Sequence, residues 1–268
     1  AMGLAVMTEL PLVIIDVQRG GPSTGLPTKT EQSDLLQALY GRNGDAPLVV
    51  MAARSSAGCF YSAFEASRIA MEHMTLLSDG ALGNGSEVFR IPKMSELPAI
   101  NPPLAKANDP EYQPYRRDEE KLRREWAIPG TPGLRHRVGG LEKENGKGNL
   151  STNPENHQIM TELREEKVNR VANDIPLQEF YGDKNADLLV VSWGGTFGVV
   201  RTAVEKMMEE GKSVAHAHFD YILPLPKNTD EVLSSHKKIV VCENNRGQFA
   251  KYLRMNYPEH KCEQYNKV

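Results

Sequence analysis

Short runs of aliphatic and β-branched residues recur along this chain, each closed by a polar or glycine-rich turn and followed by a segment with helical spacing. Residues 12–17 (LVIIDV), 48–53 (LVVMAA), 188–192 (LLVVS) and 238–242 (KIVVC) are such runs, and 214–219 (VAHAHF) reads as a further strand. A strand without polar alternation is one buried on both faces, the situation of a parallel sheet covered by helices. The chain is therefore read as α/β, with two parallel-sheet units, each of β-α-β-α-β type, joined by a long irregular connection.

The segments between the runs supply the helices. Thr28 and Glu31, three residues apart, form the pattern of a capping box for a helix over 31–40, with Gly41 ending it. A helix is predicted over 60–74, with Phe64, Met71 and the alanines as its apolar stripe, followed by a short strand at Leu76 and Leu77. Residues 92–154 are dense in Pro and Gly and carry a charge cluster at 116–125. So long a connection inside a compact unit is improbable without order of its own. It is read as an ordered excursion laid on other protein surface through Trp126, Ile128, Leu134, Val138 and Leu141. Pro154 opens the next helix, with Met160, Leu163, Val168 and Val171 inward and Glu162, Glu165, Glu166 and Lys167 outward. A tight turn over 194–198, a helix over 199–210 closed by Gly211, and a helix over 248–255 complete the second unit. The apolar start, residues 1–7, has helical spacing and no capping residue; it reads as a helix entered in its middle, as in a piece of a longer chain.

Composition excludes several classes. Thirty-two basic against 35 acidic side chains in 268 residues give a net charge of −3, so there is no global electrostatic case for nucleic acid. No window approaches the roughly 18 apolar residues of a membrane span. Cys59, Cys242 and Cys262 are odd in number and far apart, which fits a reducing cytoplasm and provides neither a disulfide framework nor a thiolate metal or iron–sulfur site.

Ligands of parallel sheets bind at strand carboxyl ends. The first such end, residues 18–28 (QRGGPSTGLPT), combines the fixed cation Arg19 with backbone N–H groups and the hydroxyls of Ser23, Thr24 and Thr28, a donor set suited to an anion. Arg19 is either a fork for a ligand carboxylate or phosphate, or a structural partner of a neighbouring Asp or Glu. The Gly-Gly-x-x-Gly turn at 194–198 lacks dinucleotide spacing and reads as an ordinary strand-to-helix turn. Residues 243–248 read as turn chemistry that caps a helix or meets a partner. His216 and His218 alternate on one strand and face one side; with Asp220 they imitate a metal site, but a surface or core face is the better reading. Arg116, Arg117, Arg123, Arg124, Arg135 and Arg137, interleaved with acids, read as a solvated or salt-bridged face, with a phosphate-bearing ligand as the alternative.

The loop from Asp16 through Gln32 (DVQRGGPSTGLPTKTEQ) closely resembles that of the α subunit of 2-oxoacid:ferredoxin oxidoreductases, the 2-oxoglutarate branch especially. The resemblance continues through Leu77-Ser78-Asp79-Gly80, Trp126-Ala127-Ile128-Pro129-Gly130-Thr131-Pro132-Gly133, Gly139-Gly140-Leu141-Glu142, Asn156-His157, Glu243-Asn244-Asn245 and Gly247-Gln248. It implies a thiamine diphosphate enzyme that oxidatively decarboxylates a 2-oxo acid, forms acyl-CoA with coenzyme A as co-substrate, and passes electrons through an iron–sulfur cluster on a partner to ferredoxin. It further implies three regions: 1–100 as the latter part of a pyrimidine-binding domain, 101–180 as an extended linker and helix, and 181–268 as a transketolase C-terminal-like domain. Arg19 and Thr28 would hold the substrate carboxylate and neighbouring oxygens, with Ser23 and Thr24 beside them. The glutamate that activates the cofactor belongs upstream of this loop, and the diphosphate and Mg site to a β subunit, so no catalytic or metal residue is assigned to this chain, and a dimer of αβ units is the expected assembly. The competing readings are the same chemistry on pyruvate or on a branched-chain or aromatic 2-oxo acid, and a non-catalytic assembly module that docks a β subunit.

Overall fold

The computed structural model describes residues 1–70 and 74–268, with the side chains of 74–77 left out of the description. In chain order the elements are α1 (Met2–Thr8), β1 (Val13–Gln18), α2 (Leu35–Tyr40), β2 (Val49–Ala52), α3 (Ser56–Ala70), β3 (Met74–Asp79) and α4 (Gly80–Asn84). After an irregular stretch come α5 (Pro154–Asn169), β4 (Phe180–Gly182), β5 (Leu188–Trp193), α6 (Phe197–Glu209), β6 (Val214–Phe219), β7 (Tyr221–Leu223), α7 (Thr229–Ser234), β8 (Lys238–Glu243), α8 (Gln248–Asn256) and β9 (Cys262–Asn266). No helix among the described residues is long and apolar enough to cross a membrane.

Two mixed, mainly parallel sheets result. The first has the order β1-β3-β2-β7, and the second β4-β6-β5-β8-β9. β7 and β4 are the antiparallel members. The alternation of side chains along β2 divides it between two cores. Val50 and Ala52 join a cluster with Leu35 and Leu39 of α2, Leu189, Val191 and Trp193 of β5, and Phe249 and Leu253 of α8. Val49 and Met51 join Ala66, Ile69, Val168 and Val171 on the opposite side. The two sheets thus share one core, and β7, which follows β6 directly, lends its edge to the first sheet at Val50 and Met51.

Several expectations are corrected. β1 is an edge strand and is not buried on both faces: Ile15 and Val17 are more than half exposed. The capping box at Thr28 does not form, because Thr28 has left-handed backbone (φ 63°) and the helix starts only at Leu35. Glu31 instead accepts the Gly21 N–H at 3.2 Å. The first helical N–H groups are served from afar: Asp34 donates to Gln18 Oε1 at 3.0 Å and Leu36 to Gln248 Oε1 at 2.9 Å. α3 starts four residues before the expected Phe60; its expected continuation through 71–73, Met71 included, lies outside the described residues, and Met74 opens β3.

The irregular connection is ordered by α1 and α5 of this same chain. The last carbonyls of α1 lack helical partners, and connection side chains supply them. Tyr115 Oη donates to Met7 O at 3.0 Å, Arg124 Nη2 to Thr8 O at 2.8 Å, and Trp126 Nε1 to Glu9 O at 2.9 Å. The Glu9 carboxylate is buried between Arg117 and Lys167, at 2.7 Å from Arg117 Nη1 and 3.2 Å from Lys167 Nζ. Lys167 is therefore an inward residue, contrary to its expected place outside. Leu134 is buried, whereas Ile128, Val138 and Leu141, expected as anchors, are more than half exposed. Of the arginines, Arg117 and Arg124 are interior and the remainder of 116–124 pair locally, Arg116 with Glu125 and Arg123 with Asp118. Glu142 ties the motif segments together, accepting from Arg164 and facing His157 Nδ1 at 2.7 Å. Burial raises its carboxyl, but those two partners bring the net below its usual range.

Candidate functional site

The carboxyl ends of both sheets meet along one seam. Gln32, fully buried, donates from Nε2 to Trp193 O at 2.7 Å, while its backbone N–H donates to Asn244 O at 2.9 Å and its Oε1 accepts the Asn244 N–H at 3.1 Å. Asn245 Nδ2 reaches Gln32 O at 2.8 Å. Glu243, also buried, accepts from Trp193 Nε1, Asn245 Nδ2 and the N–H groups of Phe249 and Ala250, capping α8. The turn after β8 is thus a helix cap and the lock of the seam at once. These paired buried groups explain why α2 starts late: Gln32 is held in the seam and cannot enter a helix.

The loop over 18–28 stands at the end of this seam. Gln18 Nε2 donates to Ser78 O at 3.1 Å, fixing the base of the loop on β3. Gly20 N–H donates to Lys29 O at 3.0 Å and Leu26 N–H to Gly20 O at 2.8 Å, so residues 19–20 and 28–29 lie side by side at a closed neck. Gly25 is required there, because its backbone is left-handed (φ 47°) and a Cβ would overlap the Gly20 carbonyl. Arg19, Ser23, Thr24 and Thr28 are all exposed around this ring. Among the described residues the Arg19 guanidinium has no carboxylate partner, so the structural ion pair weighed for it does not form. Burial and the nearby Asp34 carboxylate push the Asp16 carboxyl above its usual range.

The glycine turn after β5 does not fit a diphosphate. Its approach is filled by the buried Asp79 carboxylate, which accepts the N–H groups of Ala81 and Leu82 at 2.8 and 3.2 Å, and a Cβ on Gly195 would overlap it. An anion there would meet a carboxylate. Burial raises Asp79 against the backbone donors that lower it, including the Gly195 N–H.

His216 and His218 face one side of β6, and both are buried. The sequence reading missed Ser192, which β5 brings opposite His218. Its Oγ lies 2.7 Å from His216 Nε2 and 2.8 Å from His218 Nδ1. Ser192 therefore occupies the place between the rings that a metal would need. Burial, with Arg201 and Arg54 nearby, lowers His216 to about 4, and His218 is held well below the ordinary histidine value by burial, Arg54, His216 and Arg201. An unfolded chain binds protons at these rings below about pH 6.5, whereas folded His216 resists them down to about 4. Stability therefore falls as pH drops through that window, by roughly 3 kcal/mol from His216 alone, and is independent of this source above it. Urea denaturation from pH 7.5 to 4.5 measures the slope, which His216→Gln should flatten. Elsewhere, Asp230, Glu259 and His260 place donor atoms within 4.8 Å of one another at the surface, a cluster already accounted for by the 2.6 Å His260–Asp230 pair.

Over 261 residues the chain is 53% identical to the 2-oxoglutarate oxidoreductase subunit KorA of Mycobacterium tuberculosis, covering 96% of this chain and 40% of that protein. It is 32% identical over 252 residues to the 2-oxoglutarate synthase subunit KorA of Methanothermobacter marburgensis, covering 92% of this chain and 66% of that one. A solved 2-oxoglutarate:ferredoxin oxidoreductase from Magnetococcus marinus, with 2-oxoglutarate, coenzyme A and succinyl-CoA bound, superposes on all of this chain and 47% of its own, with TM-score 0.93 and 33% identity. The chain thus spans well under two thirds of the first relative. Residues 1–152 match the family described as pyruvate flavodoxin/ferredoxin oxidoreductase, thiamine diphosphate-binding, and to that family the chain belongs.

Proposed function

We propose that this chain is part of the α subunit of a thiamine diphosphate-dependent 2-oxoacid:ferredoxin oxidoreductase, acting on 2-oxoglutarate or a related 2-oxo acid, and that it supplies the loop that grips the substrate carboxylate. The observation that carries the reading is Arg19. It is a permanently charged planar fork, exposed at the closed neck of a glycine loop and without a carboxylate partner among the described residues. Such a group is poised for a bidentate carboxylate. Thr28 stands across the neck, and Ser23 and Thr24 offer hydroxyls around the ring to the neighbouring oxygens.

In this reading residues 1–100 are the latter part of a pyrimidine-binding domain, 101–180 a linker and helix, and 181–268 a transketolase C-terminal-like domain. The glycine turn after β5 leaves no room for a diphosphate, so thiamine diphosphate and Mg are held mainly outside these residues, on a β subunit and upstream chain. The partner also carries the iron–sulfur cluster that feeds ferredoxin, coenzyme A is the co-substrate, αβ units pair, and the assembly works in the cytoplasm. The test is CoA-dependent reduction of ferredoxin by the assembled enzyme across a panel of 2-oxo acids. Highest kcat/KM is expected with 2-oxoglutarate. A preference for pyruvate or a branched-chain acid would reassign the substrate, and no turnover with any of them would overturn the reading.

One observation favours the assembly module: Val88, Ile91 and Met94 are apolar and largely exposed in the irregular stretch that follows α4, as suits a segment that meets another chain. That reading expects Arg19 substitutions to leave turnover unchanged.

A further inference from the structure

Against α6, beside β4 and the carboxyl end of β6 and lined by no residue of the loop over 18–28, lies a cavity of about 430 Å³. His216 and His218 line it, together with the aromatic rings of Phe197 and Tyr181. Arg201 lies over the Tyr181 ring, 3.8 Å from its centroid, and Arg54 lies 5.2 Å from the centroid of Phe197.

Three polar atoms of residues that line this cavity are buried and have no hydrogen-bond partner: His216 Nδ1, His218 Nε2 and Arg201 Nε. Native proteins rarely leave such groups unmatched, and a cluster of them in one cavity requires an explanation. The Ser192 hydroxyl has one proton to give, so it donates to one ring and accepts from the other. With both imidazoles neutral, the free ring nitrogens are then one donor and one acceptor. Asp220 lies 3.7 Å from His218 Nε2, beyond hydrogen-bond reach, and is engaged by both arms of Arg54. Glu179 is exposed at the mouth, and Glu205 approaches Arg201 only at 4.0 Å. Arg201 is thus the charge inside the cavity with its own Nε unmatched.

The geometry points to a second anion site in this chain, a pocket for a small organic carboxylate held by Arg201 and by the paired nitrogens of His216 and His218 over the aromatic walls. A carboxylate supplies acceptors for Arg201 Nε and for the donor nitrogen, and a hydroxyl or water carried with it serves the acceptor nitrogen. An inorganic anion would satisfy the guanidinium but make no use of the Phe197 and Tyr181 faces. This site does not depend on the role proposed for Arg19.

The test is titration of the full-length α subunit with succinate, observed through 13Cε1-labelled histidine and assigned with His216→Gln and His218→Gln. Both ring signals should shift saturably. Arg201→Gln should weaken the affinity by about tenfold or more, and Arg19→Ala should leave it unchanged. The proposal is overturned by the absence of a saturable shift, by equal affinity in Arg201→Gln, or by inorganic phosphate giving the same shifts at the same affinity, which would make this a site for any small anion.

Discussion

Glu9→Gln is expected to lower the stability of the folded chain by about 3–5 kcal/mol, the cost of removing one member of a buried ionic cluster. Glu9, Arg117 and Lys167 are all at most 5% exposed in their side chains, so the substitution removes from both cations a buried negative charge that each of them contacts. The effect should reach beyond α1. Glu9 also carries the carbonyl that holds Trp126, and Arg117 and Lys167 belong to the connection and to α5, so three segments distant in sequence converge on this one carboxylate. Equilibrium denaturation measures the loss. The exposed Arg90–Glu96 pair provides the contrast, and Arg90→Ala should change stability by no more than about 1 kcal/mol. Equal losses in the two variants would contradict the account of the connection.

Arg19→Ala in the assembled enzyme is expected to raise KM for the 2-oxo acid by tens to thousands-fold, from roughly 2–5 kcal/mol lost when a desolvated charge pair loses one partner. The loop itself should survive, because its closure rests on backbone bonds between Gly20, Leu26 and Lys29 and on Gly25, none of which uses the arginine side chain. Arg19→Lys keeps the charge without the planar fork and should fall between the parent and the alanine variant. Neither variant should shift the denaturation midpoint appreciably, since the guanidinium is exposed and has no carboxylate partner among the described residues.

Much of this was legible in the residues, and what was not has identifiable causes. The β-branched runs at 48–53, 188–192 and 238–242 are strands because continuous apolar sequence of that length is buried from both sides, and the shared core places them so. The run at 12–17 looks the same but sits at a sheet edge, a position that depends on neighbours and not on its own composition. β7 is only three residues long and has no period to read; it exists because Val50 and Met51 offer an edge. The Thr28–Glu31 spacing satisfied a local rule, but the four hydrogen bonds made by the buried Gln32 outweigh one cap. Glu9 and Lys167 carried no sign of burial, since each is charged and their pairing spans 158 residues of sequence. At the candidate site, Arg19 was readable because a glycine loop after a strand predicts an anion site from local chemistry alone. His216 and His218 were readable as neighbours on one face, but their bridge, Ser192, arrives through the register of the adjacent strand.

In the proposed role this chain grips the substrate carboxylate while the cofactor is held elsewhere. Measuring two constants on the assembled Arg19→Ala enzyme tests it most directly: KM for the 2-oxo acid and Kd for thiamine diphosphate. A large rise in KM with cofactor affinity retained is the predicted result; weakened cofactor binding with KM unaltered would contradict it.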